Sequence, residues 1–258
     1  MSSKKKRIVI AFDVEAAGAR TNYTTFAIGV SVVNEKLDEI ESGRWTCYEK
    51  ESIKFEERCW TEFWANKQNI LELLINDDNL TFDDKERNMI QEFVKFVKKW
   101  QLDAFQKNYD LFIVSDNKIF DGERINALIM KYFPEDDLMP LPYNFNNKEY
   151  SSFWETHSMQ KGFLMALSSK YIDTNWGFSN EMEQLFTVPS TIRKPTHLPE
   201  DDAYTIARDM QILLGVAEGR FLPRSQKKKI TNYLYVSGIS LVCGYFGSLL
   251  YQYIFPKK

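Results

Sequence analysis

The chain has 258 residues, of which 44% are hydrophobic and 15% aromatic, so its composition excludes a disordered protein and allows one full domain with an additional segment. Its formal net charge of −3 excludes a globally basic surface for gripping nucleic acid, although a carboxylate site can take its positive charge from bound ions. The three cysteines lack zinc or disulfide spacing, and two histidines are too few for a histidine-rich metal site.

The order of the predicted elements indicates the fold class. Four segments are predicted to be strands: residues 7–12, 26–34, 44–48 and 111–114, of which the first and the last are apolar runs typical of buried strands. The first three are expected to pair as an antiparallel meander. Six segments have helical periodicity: residues 61–75, 84–100, 122–133, 157–168, 180–186 and 201–219. Strands followed by helices that alternate with a further strand predict an α/β or α+β fold with one mixed sheet.

Two carboxylates follow the first predicted strand in the sequence Phe-Asp13-Val-Glu15. Residues two apart on a strand point to the same face, so these side chains are expected to converge on one spot. Two adjacent anions are costly unless they share a proton or bind a cation, and oxygen ligands suit Mg²⁺. A solvent-exposed edge pattern is the alternative interpretation of such a pair.

Further candidates follow the fourth predicted strand and precede the last predicted helix. Asp121, with Asp116 and Asn117 close before it, comes just after the strand. His197 and Asp202 lie in the sequence that enters the helix, where the helix dipole favours an anion. The alternative is that these aspartates only cap helices and that the histidine is structural.

These motifs, in this order, resemble those of the DEDDh exonuclease family. Asp13-Val-Glu15-Ala16-Ala17-Gly18 is similar to the first motif of the family, and the stretch Ala27-Ile-Gly29-Val is similar to the sequence after it. Asn117-Lys-Ile-Phe120-Asp121 matches the second motif, and His197 with Asp202 five positions later matches the third. The resemblance covers about residues 7–219. It implies an RNase H-like fold, with a mixed five-stranded sheet flanked by helices, and an exonuclease domain over residues 1–222.

Three features depart from the family pattern. Ala16 and Ala17 stand where a threonine usually follows the glutamate, which removes a hydroxyl that could contact the terminal nucleotide. Pro199 replaces an alanine two positions after the histidine. The interval between the first two motifs is long, which predicts an insertion near residues 40–60 or 75–90.

The resemblance implies a 3′–5′ exonuclease that uses two metal ions, Mg²⁺ or Mn²⁺, on the 3′ end of single-stranded RNA or DNA and releases nucleoside 5′-monophosphates. Asp13, Glu15 and Asp202 would hold one ion, and Asp13 with Asp121 the other. His197 would be the general base. The remaining motif residues are implied to contact substrate: Asn117, Phe120, Ala16 and Ala17.

The C-terminal part of the chain has a different character. No charged residue occurs from 230 to 256, a stretch long enough for a membrane helix, and residues 223–229 form a basic linker before it. Since the N-terminal segment has no apolar signal core, the body is expected to face the cytosol, tail-anchored in an intracellular or viral membrane. A buried helix of the globular domain is the alternative.

Other functions remain open at this point. A catalytically inactive relative could bind nucleic-acid ends or a partner protein while it is tethered to a membrane. An adaptor could use the fold only as a scaffold. The same site could also act on a nucleotide or another small phosphodiester. Fold alone does not separate these possibilities.

Overall fold

The computed structural model describes residues 6–134, 152–168, 178–189, 197–222 and 224. Five strands are present in these ranges: β1 Arg7–Ala16, β2 Thr25–Asn34, β3 Glu39–Thr46, β4 Asp110–Ser115 and β5 Ser152–Glu155. Seven α-helices accompany them: α1 Glu57–Glu62, α2 Gln68–Leu73, α3 Phe82–Gln106, α4 Glu123–Tyr132, α5 Thr156–Ser168, α6 Phe178–Leu185 and α7 Pro199–Ala217. A short 3₁₀ turn covers Trp64–Asn66, and a π-helical turn covers Lys118–Gly122.

The strands form a mixed sheet in the order β3-β2-β1-β4-β5. β1 pairs antiparallel with β2, which pairs antiparallel with β3, so the predicted meander is confirmed. β4 pairs parallel with β1, and the last pair of that register joins Ala11 to Val114. The carboxyl ends of β1 and β4 therefore lie at the same edge of the sheet. The predicted α/β class with one mixed sheet is confirmed.

The hydrophobic core lies on one face of the sheet. Alternate residues of β1, from Ile8 to Val14, are buried in it together with one apolar side of α3, which includes Ile90 and Phe93. The side chains between them on β1 point to the opposite face, where Gln211 of α7 donates to the carbonyl of Val33 on β2 at 2.9 Å. Period-two alternation on β1 thus separates a helix-packed core from the face that carries Asp13 and Glu15.

The chain divides into two compact units. The first comprises Met1–Trp154 and Arg193–Gln211, and it contains the paired strands and the helices α1 to α4. The second comprises Glu155–Ile192 and Ile212–Lys258. Within the second unit, Thr187 and Leu222 exchange two hydrogen bonds, with the Thr187 amide donating at 2.8 Å and its hydroxyl accepting at 2.9 Å.

Several predicted boundaries differ from the structure. β1 continues through Asp13 and Glu15, which pair with Gly29 and Ala27 on β2, so the two acids lie within the strand and not after it. The helix predicted over residues 61–75 is divided into α1, the 3₁₀ turn and α2. The indole of Trp64 in that turn donates to the carbonyl of Ala16 at 3.1 Å, a tertiary bond that periodicity does not reveal.

The predicted C-terminal anchor over residues 230–256 and its linker at 223–229, except for Arg224, lie outside the described residues. Within the part of the chain that the structure describes, no helix combines the length and the apolar character needed to cross a membrane. The anchor therefore stays a prediction from the sequence. Cys47 and Cys59 are free thiols, as expected from their spacing.

Candidate metal centre

The first two acids of the centre come from the end of β1. Asp13 is half-buried and Glu15 is buried, with 8% of its surface exposed. The register between β1 and β2 shifts between Glu15 and Ala16, which is a β-bulge. Bulges bend a strand and reorient the side chains beside them, and they are common next to functional sites. The two carboxylates therefore share one face of β1 just before the strand bends.

Two more acids come from the end of the neighbouring strand. Because Ala11 pairs with Val114 in a parallel register, two further residues along each strand bring Asp13 of β1 beside Asp116. The π-helical turn that follows returns the chain so that Asp121 faces the same place, with only 1% of its surface exposed. A π-turn is rare and often accompanies a functional site.

Asn117 has a clear structural role in this turn. Its side-chain oxygen accepts the backbone amide proton of Phe120 at 3.0 Å, and the backbone amide of Asn117 donates to the carboxylate of Asp121 at 3.3 Å. Phe120 is half-buried against the core, and the guanidinium of Arg124 lies 4.4 Å from the centre of its ring. Both residues thus fix the position of Asp121, and their predicted contacts with a substrate stay predictions.

Ala16 and Ala17 are buried, and their backbone groups have partners inside the protein. The carbonyl of Ala16 accepts from Trp64, and Ala17 donates to the carbonyl of Thr24 at 2.8 Å. These bonds join the end of β1 to the 3₁₀ turn and to the loop before β2. The predicted contact of the two alanines with a terminal nucleotide also stays a prediction.

The last acid and the histidine come from the start of α7. Asp202 lies in the first turn of this helix, and its carboxylate accepts the backbone amide proton of His197 at 2.7 Å. His197 has a φ of 73°, in the left-handed region that residues other than glycine rarely adopt. Its imidazole ring packs edge-to-face on Phe63, with 5.1 Å between ring centroids. Asp202 therefore fixes the backbone of His197, and Phe63 supports its ring.

A glycine allows α7 to approach the sheet this closely. Gly29 of β2 pairs with Asp13, and a Cβ atom at Gly29 would lie 2.0 Å from the carbonyl carbon of Pro199. On the next strand, Arg44 pairs with Gly29 in register and forms an ion pair of 3.0 Å with Glu200. The first turn of α7 thus rests directly on the backbone opposite Asp13, which brings Asp202 toward the carboxylates of β1.

Substitution of Gly29 by alanine is expected to lower the free energy of unfolding by about 1–3 kcal/mol and to weaken Mn²⁺ binding, because the added methyl group displaces α7 and Asp202. Gly162→Ala is the matched control, since a Cβ there meets nothing within 4 Å and alanine favours a helix by about 0.5–1 kcal/mol. Urea unfolding and calorimetric titration with Mn²⁺ measure both effects. Equal behaviour of the two variants would contradict this account of helix packing.

The five acids form two groups that share one member. Carboxylate oxygens of Asp13, Glu15 and Asp202 lie within 4.8 Å of one another, and so do those of Asp13, Asp116 and Asp121. All the donors are carboxylate oxygens, which are the ligands preferred by Mg²⁺ and Mn²⁺. This donor set therefore fits two divalent ions of that class, held side by side with Asp13 common to both.

The crowding of these acids changes their proton affinities. Burial, and then the four neighbouring carboxylates, raise the pKa of Asp13 well above its ordinary value. Burial likewise raises the pKa values of Glu15 and Asp121 well above normal, and that of Asp202 from 3.8 to about 6. Burial and the cation of Lys67 lower the pKa of His197 below its ordinary value. The centre therefore attracts positive charge, while its histidine stays neutral near pH 7.

Without divalent ions, the free energy of unfolding is expected to fall as the pH rises from about 4 to above about 6. A carboxyl group whose pKa is higher in the folded protein than in the unfolded chain stabilises the fold fully at a pH below its unfolded pKa. This stabilisation is lost as the pH rises through the folded pKa, which is about 6 for Asp202. Saturating Mg²⁺ should reduce this decline, because the ion binds the ionised carboxylates. Thermal unfolding across this range in EDTA and in Mg²⁺ measures it. The Asp202→Asn variant should show a shallower decline in EDTA, and an identical one would contradict this origin.

The structure brings together all five residues predicted to be catalytic, either in the ligand groups or, for His197, beside Asp202. From the sequence, Asp116 was named only as a neighbour of Asp121, with helix capping as the alternative, and the structure places it in one of the two groups of acids. Its position two residues after the paired end of β4 was the available signal, which became interpretable only once β4 was known to lie beside β1. The positions of Phe63 and Lys67 were not predicted.

Comparisons with known proteins concern the fold. No protein-family model matches this chain, and neither does any curated protein. A zinc-bound complex of exonuclease I from E. coli with single-stranded DNA matches 90% of this chain and 43% of its own length, at 14% identity and a TM-score of 0.51. A structure of exonuclease I that suggests how processivity is achieved, and a product-bound structure, cover 89% and 90% of this chain at 14% identity, both with TM-scores of 0.50.

The chain thus spans less than half of the length of these exonuclease I structures, between 43% and 46%. At 14% identity the likeness concerns the path of the backbone and not the chemistry. It agrees with the fold class predicted from the sequence. The chain shares the mixed α/β fold of exonuclease I.

Proposed function

We propose that this chain is a metal-dependent 3′–5′ exonuclease that acts on single-stranded nucleic acid and releases nucleoside 5′-monophosphates. The observation that carries the proposal is that two groups of three acids share Asp13 and that His197 lies beside Asp202. The fold shared with exonuclease I, which has been observed with single-stranded DNA, supports the substrate class.

Each group of acids has a defined task in this reaction. Asp13, Glu15 and Asp202 would hold one divalent ion, and Asp13, Asp116 and Asp121 the other. When bound, such ions neutralise negative charge on the phosphodiester and stabilise the charge that develops on its oxygens during displacement. Bound ions would thus convert the costly cluster of five carboxylates into a site for a phosphodiester.

His197 is proposed to act as the general base. Its lowered pKa keeps the imidazole neutral and able to accept a proton at pH 7. The attacking water transfers a proton to His197, its oxygen bonds to phosphorus, and the bond between phosphorus and the 3′ oxygen breaks. The 3′ oxygen, which belongs to the preceding nucleotide, takes up a proton from the solvent, His197 releases its proton to the solvent, and the terminal residue leaves as a nucleoside 5′-monophosphate.

The test uses the full chain with single-stranded RNA and DNA labelled separately at the 3′ and 5′ ends. Each strand is incubated with Mg²⁺, Mn²⁺ or EDTA, beside a His197→Ala/Asp202→Ala double variant. Release of mononucleotides from the 3′ end, dependent on the metal and lost in the variant, is the expected result, and it would also distinguish RNA from DNA. Dinucleotides in a parallel reaction test the small-phosphodiester alternative.

Absence of cleavage of every strand with both metals would overturn the proposal. Retained binding of single strands under those conditions would instead favour the catalytically inactive binding module. Cleavage of dinucleotides with none of longer strands would assign the site to small phosphodiesters. Cleavage that persists in the double variant would assign the activity to a contaminant or to another part of the chain.

The location of the enzyme is a separate proposal that rests on sequence. We propose that residues 230–256 anchor the chain in an intracellular or viral membrane, because this stretch is uncharged and flanked by lysines, and that the catalytic unit faces the cytosol. Flotation of the full chain with lipid vesicles, compared with a variant carrying two lysines within this stretch, tests it. Equal recovery of both proteins away from the vesicles would contradict the anchor.

A further inference from the structure

The segment between β3 and α3 packs against the histidine beside the metal centre. The 3₁₀ turn Trp64–Asn66 joins α1 to α2, and the hydrogen bond from Trp64 to Ala16 fixes this turn to the end of β1. Phe63 and Lys67 flank the turn. The ring of Phe63 packs at 90° to the imidazole of His197, with 5.1 Å between centroids. This segment therefore touches the proposed general base through Phe63.

Phe63 also holds a cation. The ammonium of Lys67 lies 4.3 Å from the centre of the Phe63 ring, within the range of a cation–π contact. One aromatic ring thus contacts the lysine and the histidine together. The charge of Lys67 reaches the centre, because it adds to the burial that lowers the pKa of His197 and partly offsets the burial and repulsion that raise the pKa of Glu15. Lys67 is consequently a cation held at the edge of the acid cluster.

The ammonium of Lys67 retains its capacity to donate hydrogen bonds. Among the described residues, the structure gives it no carboxylate partner. By contrast, Arg44 is paired with Glu200, and Arg124 is directed to backbone carbonyls of the loop before β2, including those of Tyr23 and Arg20. A lysine head group has three donors and acts as a point charge suited to phosphate oxygens.

The charge of the centre explains the need for such a cation. Five ionised carboxylates carry more negative charge than two divalent ions can neutralise, and the chain as a whole is also acidic. An approaching strand brings one negative charge for each phosphate and is repelled by the remaining excess. A fixed cation beside the centre would offset that repulsion where the strand enters.

We propose that Lys67, supported on Phe63, binds a phosphate of the substrate strand next to the bond that is cleaved. This inference rests on the proposed function and extends it by naming a substrate-binding residue outside the carboxylate motifs. Lys67 positions the strand and takes no part in proton transfer. The competing role, in which Lys67 only offsets repulsion among the acids, predicts a change in metal affinity without a change in strand binding.

The experiment measures strand binding in the full chain, with His197→Ala as the parent so that bound strands are cleaved too slowly to disturb the measurement. Fluorescence anisotropy with a short labelled single strand in Mg²⁺, at several salt concentrations, gives the affinity and its salt dependence. Lys67→Gln is expected to bind about tenfold more weakly, since a charge-assisted hydrogen bond is lost. The slope of log affinity against log salt should fall in magnitude by about 0.7, the contribution of one phosphate contact on a single strand.

Two further variants separate binding from folding. Lys67→Arg keeps the cation and should recover most of the affinity and the salt slope. Lys95→Gln removes an exposed lysine of α3 whose ion-pair partner in the described part of the chain is its neighbour Glu92, and this variant should match the parent. Calorimetric titration with Mn²⁺ should show that Lys67→Gln still binds the metal, which confirms that the centre is intact.

The outcomes distinguish this inference from the function on which it rests. If adding Lys67→Gln to the parent changes neither its affinity for strands nor the salt slope, the role of Lys67 is overturned and the exonuclease proposal still stands. Loss of Mn²⁺ binding together with strand binding assigns Lys67 a structural role and also overturns it. A parent that binds Mn²⁺ but no strand overturns the proposed function and this inference with it.

Discussion

Replacement of Asp13 by asparagine is expected to abolish cleavage and, at the same time, to stabilise the protein in the absence of metal. Asp13 belongs to both ligand groups, so its loss weakens both ion sites at once. Loss of several kcal/mol of transition-state stabilisation corresponds to a decrease in kcat/KM of at least about a thousandfold. Without metal, removal of one charge from the crowded centre relieves repulsion on the order of 1 kcal/mol, which raises Tm by about 2–4 °C.

The matched control is Asp78→Asn, which makes the same chemical change at an exposed residue of the loop after α2. It should alter neither activity nor stability. Activity is measured with a labelled single strand in Mg²⁺, and Tm is measured in EDTA. If Asp13→Asn retained the activity of the control variant, the shared carboxylate could not be the centre of the reaction. A lower Tm in EDTA would contradict the origin assigned to the raised pKa of Asp13.

Replacement of His197 by alanine is expected to lower kcat by about 10²–10⁴-fold, which is the usual contribution of a general base. The histidine belongs to neither ligand group, so Mn²⁺ affinity should change little. Because the pKa of His197 is lowered, its imidazole becomes protonated at a lower pH than an ordinary histidine does. Activity should therefore persist at mildly acidic pH in the unchanged protein. Single-turnover rates at saturating metal measure the effect.

The chain provides its own control for this experiment, because it contains only two histidines. His157 lies near the start of α5, in the second compact unit. His157→Ala should keep kcat within about threefold of the unchanged protein, as a substitution outside the centre usually does. Equal losses of activity in the two variants would show that the imidazole of His197 has no special role, and loss of Mn²⁺ binding would show a structural one.

The parts of the fold that follow from local pattern were predictable. The continuous apolar run from Ile8 to Phe12 on β1 and the helical spacing of α3 are properties of single segments, so sequence was sufficient to identify them. The break between α1 and α2 was not predictable, because it depends on Trp64 reaching the carbonyl of Ala16, which is distant in sequence. Tertiary bonds of this kind override local periodicity.

The centre shows the same division. Asp13, Glu15, Asp121, His197 and Asp202 were predicted because short motifs carry them, and the structure brings them together. The position of Asp116 in the centre could be inferred only from the parallel pairing of β1 with β4, and the sequence does not give the register of that pairing. The role of Gly29 required knowledge that α7 crosses β2 at this residue. Contributions that arise from the packing of distant segments could not be predicted from a single sequence.

The mode of attachment of α7 affects how the centre can fail. Asp202 and His197 enter on the same short stretch, which is held by close packing at Gly29 and by the ion pair of Arg44 with Glu200. Local unfolding of this helix end would remove the proposed general base and one acid together, while Asp13 stayed on β1 and Asp116 and Asp121 stayed in the segment after β4. The protein would then be an inactive species that still retains one ion, and loss of activity would precede global denaturation.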